Sequence, residues 1–166
     1  MKSKPTAKSA EKFARKMFQK DKREEDKEWH IFHSKSVGDA ALILAESKKV
    51  DKELLKIAGW LHDIGQTVSM DDHALHSLKV AEREFEISEK LKDCILNHGN
   101  SGKPVCEEAK LINIEDKVSM LNPEFVKIFV RDVASKPSDK KKKDIDFAKS
   151  MLSRAGELLE KISSQS

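Results

Sequence analysis

The stretch Leu54-Leu55-Lys56-Ile57-Ala58-Gly59-Trp60-Leu61-His62-Asp63-Ile64-Gly65 decides how this chain folds. Leu54, Leu55, Ile57, Ala58, Trp60 and Leu61 recur at helical spacing and mark a buried helix. Asp51 suits the N-cap, Glu53 the first turn and Gly65 the C′ position, so the pattern predicts a helix from about Lys52 to about Ile64. His62 and Asp63 stand side by side at the end of that apolar run. Burying an imidazole and a carboxylate there is costly unless both are paired or bound to a metal ion. Adjacent helical positions point about 100° apart. They can still converge on one ion lying over the helix end, with its other ligands drawn from elsewhere.

Candidates lie on both sides. His33 precedes Val37, Ala40, Ala41, Ile43, Leu44 and Ala45, and His76, His98 and Asp116 follow downstream, each on or beside a segment with helical apolar spacing. Neutral imidazole with carboxylate suits Mn, Fe, Co, Ni, Zn or Mg. A single helical histidine is more often a packing or surface residue than a ligand. The order His, His-Asp, His, His, Asp along successive helices favours a metal site.

His33, His62-Asp63 and Asp116 together resemble the H…HD…D signature of the HD-domain superfamily of metal-dependent phosphohydrolases, and Asp63-Ile64-Gly65 continues it in a common form. His76 and His98 resemble the two extra histidines of members with a two-metal site. His76-Ser77-Leu78-Lys79-Val80-Ala81 resembles the family's histidine followed by a small residue in the next turn, Cys94-Ile95-Leu96-Asn97-His98 its apolar helix ending in histidine, and Ile114-Glu115-Asp116-Lys117-Val118 its "ADK"-type segment. The likeness covers about Trp29 to Leu121 and implies an all-α, single-domain helical bundle.

It further implies that His33, His62, Asp63 and Asp116 hold one divalent ion and that His76 and His98 complete a second site, giving two ions per chain. Asp63 bridges them in that reading, and His62 and Asp63 form the catalytic pair. His73 lies one turn before His76 without the small-residue context that follows His76, so His76 is the expected ligand. Lys103 and Lys117 are candidate phosphate contacts, each weighed against an ordinary surface lysine. The implied activity is hydrolysis of a nucleotide or other small phosphate ester or anhydride by metal-activated water. Two alternatives stand beside it: a di-iron HD-fold oxygenase, built on the same ligand set, and a non-catalytic regulatory domain, against which the intact ligand set argues.

The chain also departs from the pattern. Gln66 stands where many relatives carry lysine, no Gly-Tyr-Pro element marks the cyclic-dinucleotide branch, and the interval from His62 to His76 is short. His98, Gly102 and the run from Ala109 to Asp116 are most similar to the branch that splits dinucleoside tetraphosphates.

One domain is expected from 166 residues, with 37% charged and 38% hydrophobic residues. A net charge of +3 is too small to argue for nucleic acid, and the resemblance implies a small phosphorylated substrate. No apolar run approaches a membrane span, and the Lys-rich beginning lacks the apolar core of a signal peptide. Cys94 and Cys106 do not form a Cys-x-x-Cys pair and read as reduced thiols, so a cytoplasmic monomer or homodimer is expected.

Residues 1–28 are expected to supply an amphipathic helix (Ala10, Phe13, Ala14, Met17, Phe18) and a solvated charged connection, residues 29–121 the metal-binding core, and residues 122–166 the last helices of the same domain. Asp71 or Asp72 should cap a helix near His73, Ser88 the next, and Asn122-Pro123 should restart the chain. Phe125 to Ala134 reads as buried, and Ile145, Ala148, Leu152, Ala155, Leu159 and Ile162 as the inner face of the last helix.

Overall fold

Short polar side chains cap several of the helices at the positions that the sequence offers. The computed structural model describes residues 2–21, 24–135 and 137–163. Thr6 caps α1 (Ala7–Phe18) in a reciprocal box with Ser9, and α2 (Glu24–Leu44) follows. The Asp51 carboxylate accepts the Leu54 N–H at 3.0 Å and opens α3 (Lys52–Leu61). Ser88 opens α5 (Glu89–Leu96), after α4 (His73–Glu84). At α6 (Glu107–Val118) the cap is the Cys106 thiol, 3.4 Å from the Ala109 N–H. Asn122 accepts from Glu124 at the start of α7 (Pro123–Ser135), and α8 (Ser138–Ser163) ends the described chain. The described residues are all-α, without a strand, and none of their helices is long and apolar enough to cross a membrane.

The core is built around α3, which is apolar on nearly its whole circumference and packs against α1, α2, α4, α5 and α6. Ala10, Ala14 and Phe18 of α1 seal one side, Val37 and Ala41 of α2 another, and Ala109 and Ile112 of α6 a third. Two glycines set the α2–α3 distance. A Cβ on Gly59 would lie 2.6 Å from the Gly38 Cα and nitrogen, so backbones touch where any side chain would part them. That approach brings His33 and His62 level with each other.

The sequence reading needs correction at several places. The His-Asp helix ends at Leu61, and the chain then turns into a 3₁₀ segment, Ile64–Thr67. Gly65 is not a left-handed helix stop, since no glycine has positive φ. Its bareness serves packing: a Cβ there would lie 2.3 Å from the His73 carbonyl oxygen and the Ser77 nitrogen of α4. Asp72 occupies the N-cap position of α4 without a side-chain cap bond; its left-handed φ of 51° turns the chain sharply into the helix.

The connection after α1 is not wholly solvated, because Asp21 is buried 3.6 Å from the enclosed His30 ring; Lys22 and Arg23 lie outside the described residues. The face of α7 expected inside leaves Val126 and Val130 exposed. On α8 Ala155 is fully buried, yet Ile145 and Leu152 are exposed. The side chains of Phe125, Leu159 and Ile162 lie outside the described set. An amphipathic spacing identifies a shared face but not the neighbour that covers it.

The Gly59 contact has a measurable consequence. Gly59→Ala is expected to lower stability by about 1–3 kcal/mol through overpacking. Gly38→Ala, whose Cβ would meet nothing nearer than the Lys56 Cα at 3.4 Å, should cost less. Thermal melts of both variants check the order.

Candidate metal centre

Six ionisable side chains from five places in the chain meet beside the end of α3. His33 comes from α2, His62 and Asp63 from the residues that follow α3, His73 from the first position of α4, His98 from just past α5, and Asp116 from the last turn of α6. They form two sets that share Asp63: His33, His62, Asp63 and Asp116, all buried, and Asp63, His73 and His98. Asp63 divides its oxygens between them. Oδ2 lies 3.5 Å from His33 Nε2 and 3.4 Å from His62 Nε2, while Oδ1 lies 3.3 Å from His73 Nε2 and 3.2 Å from His98 Nε2. Asp116 Oδ1 closes the first set, 3.2 Å from His33 Nε2 and 3.6 Å from His62 Nε2. Trp29 stacks on the His33 ring at 4.9 Å.

The tautomers follow from the far side of each ring. His62 Nδ1 is 2.9 Å from the Gly59 carbonyl, His98 Nδ1 2.7 Å from the Ile95 carbonyl, and His73 Nδ1 3.2 Å from the Met70 carbonyl. A carbonyl only accepts, so Nδ1 carries the proton and each Nε2 turns its lone pair inward. His73 and His98 then oppose lone pairs across 3.0 Å, a repulsive arrangement unless a proton or metal cation lies among them. Asp63 Oδ1 is buried without a hydrogen bond although two ring nitrogens stand within 3.3 Å. Inward lone pairs, backbone-anchored Nδ1 atoms and an orphaned carboxylate oxygen fit divalent cations.

The charge balance agrees. Burial opposes charge on His62, but Asp63 and Asp116 outweigh it and push the imidazole up to about 10. Burial also opposes ionisation of Asp63 and Asp116, yet the facing imidazoles hold both carboxyls well below their usual range. The carboxylates thus favour positive charge among the rings, which a divalent cation can supply in place of a proton.

The structure brings together five of the six expected ligands. His76 is not among them: it is half-buried on α4, and His73 takes the place beside Asp63 instead. Ser77, directly after His76, faces Gly65 and accepts its N–H at 2.8 Å. His73 is four residues before Ser77, hence on the same helix face and above the site. The sequence signal for His73 is Ser77 itself, a small residue one turn after it.

Lys117 is enclosed, 1% exposed, with its ammonium 3.0 Å from Asp116 Oδ2 and donating to the His98 carbonyl. Lys103 is exposed, and its backbone N–H donates to Asn97 Oδ1. Gln66 is buried in the 3₁₀ segment.

The loop that carries His98 is itself held firmly. Asp93 accepts the N–H groups of Val105 and Cys106 at 2.9 and 2.8 Å and the Asn97 amide at 2.7 Å.

The HD domain family matches residues 31–121, which include every member of both sets. The chain belongs to the HD domain family. Ribonuclease Y of Treponema pallidum (strain Nichols) is 30% identical over 96 residues, covering 56% of this chain and 19% of that one. Ribonuclease Y of Pseudothermotoga lettingae is 30% identical over 93 residues, 55% of this chain and 18% of that one. A deoxyguanosinetriphosphate triphosphohydrolase-like protein of Caldanaerobacter subterraneus is 25% identical over 129 residues, 66% of this chain and 38% of that one. This HD chain thus spans well under half the length of these relatives. No solved structure gives a significant match.

Two outcomes follow from the geometry of this HD domain. His73→Ala should weaken divalent-ion binding by about 10–100-fold or more, whereas His76→Ala should leave it near the parent value; metal titration of both variants decides between the histidines. The second concerns Asp93. Burial raises its carboxyl, but the N–H groups of Cys106 and Val105 and the Asn97 amide outweigh that and lower it below its ordinary value. A depressed carboxyl contributes stability above its unfolded pKa and loses it as pH falls through the folded value. Asp93→Asn should therefore cost about 1–2 kcal/mol at pH 7, with the parent and variant curves converging below about pH 4 in melts across pH.

Proposed function

We propose that this HD domain is a metal-dependent phosphohydrolase acting on a nucleotide or related phosphate ester or anhydride. The observation that carries the reading is the division of Asp63: Oδ2 faces His33 and His62, and Oδ1 faces His73 and His98. One carboxylate shared in this way suits two ions, one held by His33, His62, Asp63 and Asp116 and the other by Asp63, His73 and His98. Bound divalent ions supply an activated water and polarise phosphoryl oxygens.

The chain's own residues hold and orient. Backbone carbonyls fix three of the imidazole tautomers, and the apolar wall of α3 keeps bulk water from the His62 side. His73, with a side chain 31% exposed, is the open member of a set whose other side chains are 12% exposed or less, so substrate is proposed to approach from the start of α4. Lys117 donates to protein acceptors, which leaves the ions as the main positive charge for a phosphate.

A small substrate is favoured by the modest net charge of +3. The similarity to proteins named ribonuclease Y supports RNA phosphodiesters as a second substrate class. Phosphate-release and nucleotide-product assays with Mn²⁺, on a panel of mononucleotides, dinucleoside polyphosphates and short RNA, separate the two. Iron loading in air, with oxygen uptake as the readout, tests the di-iron oxygenase alternative.

Asp63→Ala should abolish hydrolysis, a fall of at least about 100-fold; near-parent turnover on an identified substrate would place the site elsewhere. Removing the metal with a strong chelator should also destabilise the fold. A ligand that binds only the native state adds about 2.7 kcal/mol at a hundredfold excess over its Kd. Identical melting midpoints with and without metal would count against the reading.

A further inference from the structure

His98 stands where α5 has already ended, so nothing in the regular helix pattern satisfies the carbonyls around it. The partner comes from α6. Asn113 Nδ2 lies 2.8 Å from the Asn97 carbonyl, 3.0 Å from the His98 carbonyl and 2.9 Å from the Gly99 carbonyl. All three neighbours are acceptors, which fixes the nitrogen, not the oxygen, of the amide as the group pointing at the loop. Its two hydrogens are shared among three oxygens. Lys117, one turn further along the same face, donates to the His98 carbonyl as well. Inside the loop the Gly102 N–H donates to Gly99 at 3.0 Å, and a Cβ on Gly102 would lie 2.3 Å from the Asn97 carbonyl oxygen.

We infer that Asn113 is a positioning residue for the His98 side of the metal site: its amide fixes the backbone on both sides of His98 so that Nε2 meets Asp63 Oδ1. The inference rests on the two-ion reading proposed above. On its far side the ring is anchored by the Nδ1 bond to the Ile95 carbonyl at 2.7 Å, which sets its orientation relative to α5 but not the path of the chain beyond it. A histidine on an unclamped turn retains backbone freedom that ion binding has to remove, and that lost entropy weakens binding. Asp116 lies three residues after Asn113 on α6. One helix face thereby provides a ligand to the first set directly and holds a ligand of the second set through its backbone, keeping the two sets in register about Asp63.

The test is a calorimetric titration of metal-free protein with Mn²⁺, without substrate, on the parent, Asn113→Ala, His98→Ala and the combined variant. The parent should take up two ions. Asn113→Ala should weaken one of them by about 10–100-fold and leave the other unchanged. The combined variant should be no worse than His98→Ala alone, because a residue that acts only through His98 has nothing left to position. Two ions bound by Asn113→Ala at parent affinity, or losses that add in the combined variant, overturn the inference. A parent that saturates at one ion or none overturns the two-ion reading itself, and that result is visible before any variant is made. Circular dichroism melts establish folding of each protein; should Asn113→Ala not fold, Asn113→Gln, which keeps the amide one methylene farther out, should show a smaller weakening of the same ion.

Discussion

Asp63 carries a carboxylate into the interior and gives each of its oxygens a different pair of imidazoles to face. Charge in such a place is tolerable only when matched. The match here draws on four of the five helices around α3, all but α1. α2, α4, the end of α5 and the last turn of α6 must each present one side chain at close range to Asp63 or its neighbours. Much of the packing can be understood as the means of holding those elements at the required distances.

The glycines are the clearest case. Gly59 against Gly38 lets α2 and α3 approach backbone to backbone, and the Gly59 carbonyl then anchors His62. Gly65 against α4 performs the equivalent role on the other side and brings His73 over the site. Asn113 and Lys117 do with hydrogen bonds what the glycines do with absence of bulk: they fix the end of α5 to α6. Close packing and polar anchoring thus converge on a single point, and the ring geometry there is set from the backbone outward.

The legible parts of the sequence were those governed by local rules. The apolar run of α3, its Asp51 cap, the Ser88 cap and the Asn122-Pro123 restart all depend on neighbours a few residues away, and all stand where they were expected. His33, His62, Asp63, His98 and Asp116 were legible through their order and contexts, and the structure gathers them. His73 is hard to choose over His76 from sequence, because a small residue follows each of them within about a turn, Ser77 after His73 and Ala81 after His76. Asn113 was invisible, since its significance lies in carbonyls 14 to 16 residues away. The exposure of Val126, Val130, Ile145 and Leu152 was illegible for a related reason: amphipathic spacing names a face, not what covers it.

By itself the sequence determined an all-α chain organised about one buried helix, with a histidine and an aspartate delivered to the end of that helix. Periodicity, caps and residue order suffice for this because helices close their hydrogen bonds locally. Only the tertiary structure decided which of two histidines on α4 meets Asp63, that Gly65 serves contact rather than a turn, and that Lys117 is enclosed rather than surface-facing. Those outcomes depend on how far apart two backbones lie and how one helix is rotated against another. His73 and His76 stand three residues apart, about 60° around the helix and about 4.5 Å along it, so the rotation and height of α4 against its neighbours choose between them, and the contact of Gly65 with α4 fixes both.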